Sequence, residues 1–168
     1  MSYDSGGSTL ARIGPAGGAV HVLLGNHEAM LLAGDLRYVN PKYLKTLKGL
    51  PPLAELYGPN AELGRWLRSR PVLVRLGEVL FVHGGLSPDV LALGMSLDQI
   101  NAKIQQNLGL KPKEATGDVA ILLGSSGPLW YRGLLPEGGG PQASEEHITA
   151  VLNHFQARIM VVGHTTMH

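Results

Sequence analysis

Two apolar segments, 72–76 and 78–83, flank Gly77-Glu78, and short β-branched runs joined in this way predict a β-hairpin. "AVHVLLG" (19–25) and "RIMVVGH" (158–164) are runs of the same kind, each closing on glycine. They predict buried strands over 19–24 and 158–162. Between these runs the period lengthens to that of a helix. "SLDQINAKIQQNLGL" begins at the cap residue Ser96 and brings Leu97, Ile100, Ile104 and Leu108 to one face. "NPKYLKTLKGL" carries Asn40 as a cap and Pro41 at its first position, and it stops at Gly49 and Pro51-Pro52. "NAELGRWLRS" from Asn60 and "EEHITAVLNHFQA" from Ser144 predict two further helices, and residues 29–39 are partly helical. Residues 1–18 have no apolar period and are rich in Gly, Ser and Pro, which predicts a loop or disordered tail. The reading is therefore an α/β chain, with a tail over 1–18 and one domain over 19–168.

Both strands outside the hairpin, and the second hairpin strand, run into polar residues. Strand 19–24 meets Gly25-Asn26-His27-Glu28, strand 78–82 meets His83-Gly84-Gly85, and strand 158–162 meets Gly163-His164-Thr165. Sites in α/β sheets gather at the carboxyl ends of strands, so these residues are candidates to converge. Neutral imidazole and a carboxamide oxygen suit a divalent transition metal. A hydrolytic two-metal site also needs carboxylates. One such histidine alone reads as a structural strand-end residue. Three glycine-flanked strand ends together do not.

Composition narrows the chemistry. The chain has no cysteine, which excludes disulfides and thiolate metal sites. Its 14 basic and 13 acidic side chains give a net charge of +1, which offers nothing to nucleic acid or an anionic membrane. No apolar run approaches a membrane span and the N-terminus lacks a signal-peptide pattern, so a cytoplasmic or organelle-matrix location is the default. Among other polar residues, Asp35 and Arg37 read as an ion pair or cap. His21 reads as a face residue of its strand, and His147 and His154 as helix-surface residues.

"GNHE", "HGGLSP" and "VVGHT", in that order, resemble motifs of the calcineurin-like metallophosphoesterases. Together with "LLGNHEAMLLAGDLRYV" and "GPLWYRG", the chain is most similar to the Shewanella-like branch of phosphoprotein phosphatases. That resemblance implies a β-sandwich flanked by helices and two divalent ions, Mn, Fe or Zn. It implies hydrolysis of phosphate esters by metal-activated hydroxide, with a phosphorylated protein or small phosphate ester as substrate. By the same resemblance Asn26, His83 and His164 bind one metal and His27 is the general acid. Glu28 supports His27, with Asp35 as the alternative carboxylate, and Arg132 grips the phosphate. The family's Asp-x-His and Gly-Asp-x-x-Asp-Arg motifs do not occur here. The expectation is thus a partial domain, incomplete at both ends, with at most one half of the metal site. Asp4 and His168 are the candidates to replace missing ligands. Three readings follow: a phosphomonoesterase of the protein-phosphatase type, within that class a diadenosine-polyphosphate hydrolase, or a non-catalytic remnant that binds a metal or a partner.

Overall fold

The computed structural model describes residues 11–13, 18–47, 49–139 and 141–166 of the chain. Asp4 and His168 lie outside them. The architecture is α/β, with eight helices and two small sheets among the described residues. In chain order the strands are β1 (Ala11–Ile13), β2 (Gly18–Val20), β3 (Leu73–Leu76), β4 (Val79–Val82) and β5 (Ile159–Val161). The helices are α1 (Asn26–Leu32), α2 (Pro41–Thr46), α3 (Leu53–Leu56), α4 (Glu62–Arg68), α5 (Pro88–Ala92), α6 (Leu97–Asn107), α7 (Gly117–Leu123) and α8 (Glu145–His154).

The predicted hairpin forms, with β3 antiparallel to β4 and Leu76 opposite Val79. Gly77 turns it at φ +58°, a left-handed conformation that glycine adopts without strain. β5 then joins β4 in parallel, with Phe81 opposite Val161, to complete a mixed sheet of order β3-β4-β5. One face of this sheet carries Leu73, Leu80 and Val82 into the core, where α6 contributes Ile100 and Ile104. Each of these side chains is at most 3 % exposed, and burial of that extent stabilises by about 1.5–3 kcal/mol per side chain. α6 also guards the sheet edge. The Asn101 side chain accepts from the Val72 and Leu73 N–H groups at 2.9 and 3.0 Å and donates to Leu73 O at 2.8 Å.

Two expectations are corrected at the N-terminal end. Residues 11–13 and 18 belong to a β1–β2 hairpin rather than to a loop. The strand predicted over 19–24 is confined to Gly18–Val20, and residues 21–25 run on outside any ladder. Their apolar character reflects burial, as Leu24 is 1 % exposed, and not strand pairing. The four predicted helices appear as α2, α4, α6 and α8, with Asn40, Ser96 and Ser144 as their side-chain caps; α4 is capped by Ala61 rather than Asn60. Short α3, α5 and α7 were not expected, because one or two turns leave too little period to read.

Candidate active site

The parallel pairing of β4 and β5 puts both carboxyl ends on one edge of the sheet. His83 follows β4 and His164 follows β5, and the Gly163 N–H donates to His83 O at 2.9 Å, which carries the pairing past the assigned strands. β3 runs the other way, so its beginning lies at that same edge. There Leu24 N–H donates to Pro71 O at 2.9 Å and delivers the Gly25–Glu28 stretch beside the two histidines. The residues expected at a strand end instead open a helix: Asn26, His27 and Glu28 form the first turn of α1.

Three donor atoms meet where these segments converge. His83 Nε2 is 2.8 Å from Asn26 Oδ1 and 3.1 Å from His164 Nδ1. Asn26 is buried, and the rings of His83 and His164 sit 4.9 Å apart at 59°. His164 Nε2 is buried without a hydrogen-bond partner. The backbone reverses at His164, whose φ is +65°, an uncommon conformation for a residue with a Cβ. Burial, and then the Arg132 cation, hold the His164 imidazolium pKa down at about 4. Burial also lowers that of His83, against the pull of Glu28. Both rings are therefore neutral at pH 7, the form that presents a lone pair to a cation.

Glu28 does something other than the expected support of His27. Its Oε2 accepts the Gly25 N–H at 3.0 Å and so caps α1, where a negative charge favours the helix dipole. No hydrogen bond joins it to His27 among the described residues. Gly25 matters here for closeness and not for backbone freedom. A Cβ at this position would lie 2.7 Å from Glu28 Oε2 and 3.0 Å from His83 Cε1. Asp35 is also engaged elsewhere, in a 2.7 Å ion pair with Arg37, the structural role expected for both. The His27 ring is exposed and stacks on Tyr38, with centroids 5.2 Å apart and planes at 10°.

The fourth wall comes from the 128–132 loop. Gly84 N–H donates to Pro128 O at 2.8 Å, and a Cβ on Gly84 would lie 3.0 Å from three backbone atoms of that loop. Only glycine admits such an approach. Arg132 reaches His164 O through Nη1 at 3.3 Å, and the Trp130 ring meets His164 edge-on at 5.8 Å. Behind the site, α8 braces the loop after His83 through His147 Nε2, which is 2.8 Å from Leu86 O. His147 is therefore half-buried rather than a surface residue, while His154 is exposed and contacts Met95 O at 2.9 Å.

The outcome is one cleft of about 340 Å³ lined by all six expected site residues, Asn26, His27, Glu28, His83, Arg132 and His164. Tyr38 and Trp130 complete the lining. Both lie inside quoted motifs, "GDLRYV" and "GPLWYRG", but a single aromatic carries no period that assigns it to a site. Among the described residues no group of three or more His, Cys, Asp or Glu gathers, so a cation here would take a carboxamide as one of its donors. The donor set nonetheless fits a divalent transition metal. It offers two neutral imidazole nitrogens and one amide oxygen, whose atoms converge at 2.8 and 3.1 Å. No helix among the described residues is long and apolar enough to cross a membrane.

The calcineurin-like phosphoesterase family matches residues 7–167. The chain is 28 % identical over 153 residues to Shewanella-like protein phosphatase 1 of Plasmodium berghei (strain Anka), which covers 87 % of this chain and 41 % of that protein. It is 29 % identical over 133 residues to the symmetrical bis(5'-nucleosyl)-tetraphosphatase of Acidovorax sp. (strain JS42), covering 73 % of this chain and 42 % of that protein. Among solved structures, the cold-active protein-tyrosine phosphatase of a psychrophilic Shewanella superposes with a TM-score of 0.80 at 37 % identity, over 90 % of this chain and 46 % of that one. The chain thus spans a little under half the length of the relatives it matches.

Proposed function

We propose, from the premise that the chain belongs to the calcineurin-like phosphoesterase family, that its cleft is the proton-donating and phosphate-gripping part of a phosphomonoesterase site acting on phosphorylated protein side chains. The convergence of Asn26, His83 and His164 beside His27 and Arg132 carries the reading. Asn26 Oδ1, His83 Nε2 and His164 Nδ1 would hold a divalent cation, manganese, iron or zinc in this family. When bound, such a cation acidifies water and neutralises phosphoryl charge.

The chain's own residues supply the rest. Arg132 presents a planar, permanently charged fork to the phosphate oxygens. His27 lies next to Asn26 in sequence and is exposed to the cleft, where its imidazolium can donate a proton to the departing alkoxide or phenoxide. Tyr38, stacked flat on that ring, restrains its swing. Glu28 holds the Gly25 N–H, and so keeps the first turn of α1 and Asn26 in place. The kinship with protein phosphatases favours a phosphorylated side chain over a dinucleoside polyphosphate.

A second reading, a non-catalytic module that binds a cation, is favoured by the lack of a carboxylate gathered with His83 and His164 among the described residues. Hydrolysis of p-nitrophenyl phosphate with Mn²⁺ separates the two. The phosphatase reading expects activity that falls about 100-fold or more in His27→Ala, the usual contribution of a positioned acid. Activity indifferent to His27→Ala and His83→Ala overturns it. No activity, with one Mn²⁺ still bound per chain and lost in His83→Ala, returns the second reading.

A further inference from the structure

A second cavity, of about 560 Å³, adjoins the cleft. Ala29 and Met30 of α1, and Ala33 just after it, line it with Trp130, and Trp130 also lines the cleft. At its rim stand Lys111 and Lys113, both exposed, and neither ammonium has an ion-pair partner among the described residues. The other charged pair at the rim, Arg37 and Asp35, neutralises itself. Glu114 lies near, but its carboxylate accepts the Lys111 backbone N–H at 3.1 Å. The cavity therefore offers an apolar floor beside two ammonium groups that have no ion-pair partner among the described residues, with Glu114 the nearby opposing charge.

The spacing relates this cavity to the chemistry. α1 has seven residues, its first turn lies in the cleft and its end lines the second cavity. At 1.5 Å per residue the two are roughly 10 Å apart, which an extended chain covers in about three residues at 3.3 Å each.

We propose that the second cavity docks an acidic side chain of a phosphorylated polypeptide, about three positions from the phosphorylated residue, with its carboxylate on Lys111 and Lys113 and its methylenes on Met30 and Trp130. A nucleobase fits less well. The lining offers methyl, thioether and indole groups and two ammonium donors, and its one side-chain carboxylate, Asp35, already accepts from Arg37 through both oxygens. The assignment rests on the phosphatase reading above, since that reading places the phosphate in the cleft.

The test is binding of fluorescently labelled peptides to the whole chain with Mn²⁺. One peptide carries phosphonomethyl-phenylalanine with Glu three residues to either side. A second replaces the Glu residues by Gln, a third keeps the Glu residues but has plain phenylalanine, and a fourth has both changes. The expected result is that Glu strengthens binding about 3- to 10-fold, the range of one or two exposed charge pairs. That advantage disappears in Lys111→Ala/Lys113→Ala and in 0.5 M NaCl. Equal binding of the Glu and Gln peptides, or an advantage that survives the double substitution, overturns the assignment. The two readings fail separately. A phosphonate that adds nothing removes the phosphatase reading, while a Lys-dependent Glu preference in the third peptide over the fourth keeps the acidic dock. Diadenosine tetraphosphate that displaces the peptides, and binds more weakly when the two lysines are removed, overturns the polypeptide as occupant.

Discussion

Replacing Gly25 by alanine tests how the cleft is held. The new methyl would start 2.7 Å from Glu28 Oε2 and 3.0–3.1 Å from two atoms of the His83 ring. The Glu28 carboxylate ends a flexible side chain and can swing away, but doing so gives up its 3.0 Å bond to Gly25 N–H. Loss of a helix-capping acceptor costs about 0.5–2 kcal/mol. Against this, alanine in place of glycine restricts the unfolded chain and returns about 0.4–1 kcal/mol, since the backbone here, at φ −99°, accepts a Cβ. The net expectation is about 0.5 kcal/mol of destabilisation, a fall of roughly 1–2 °C in Tm for a domain of this size. The site suffers more than the fold, because His83 must also shift by a few tenths of an ångström, and its Nε2 lies only 2.8 Å from Asn26 Oδ1 and 3.1 Å from His164 Nδ1. Calorimetric titration with Mn²⁺ should show affinity reduced 10-fold or more. Thermal unfolding of Gly25→Ala, Glu28→Ala and the double variant completes a cycle in which Gly25→Ala adds little once Glu28 is gone. A Gly25→Ala chain that melts at or above the parent temperature with unchanged Mn²⁺ affinity would refute the reasoning.

Three further outcomes are expected. Asn101→Leu strands two N–H groups and one carbonyl at the β3 edge and should cost about 2–3 kcal/mol in urea unfolding; a loss below 0.5 kcal/mol would mean water replaces the side chain. The metal-free chain should lose stability as pH falls from about 6.5 toward 4. In that window the unfolded chain protonates histidines that the fold keeps neutral, His164 down to about 4, so it binds more protons and stability rises with pH. His164→Gln should flatten the Tm profile there, and an equally steep profile in the variant would count against this assignment. Arg132→Ala should raise KM for p-nitrophenyl phosphate or weaken inhibition by inorganic phosphate several-fold while leaving Mn²⁺ affinity within about 2-fold; an unchanged phosphate response would remove Arg132 from the phosphate grip.

Much of this molecule is legible in its sequence because its strongest signals are local. The hairpin at Gly77-Glu78 follows from alternating β-branched runs and one left-handed turn. Ser96 and Ser144 start helices because their own hydroxyls accept N–H groups three residues on. The glycine-flanked Asn and His positions announced a shared site because strand-end polar residues in an α/β chain have one edge on which to meet.

What tertiary structure alone decided is how that meeting is made. Parallel pairing of β4 with β5, with Leu80 opposite Met160, sets His83 against His164 across 81 positions of chain, and no local pattern encodes it. The Leu24–Pro71 bond holds the Asn26 stretch at the same edge, and there it opens a helix where the sequence alone reads a strand end. Glu28 reads as a partner for its neighbour His27, yet at the N-terminus of a helix a carboxylate three residues after the cap returns to the cap's own N–H. Tyr38, Trp130 and the lysine-rimmed cavity beside them are products of packing between segments distant in sequence, so they exist only once the chain is folded.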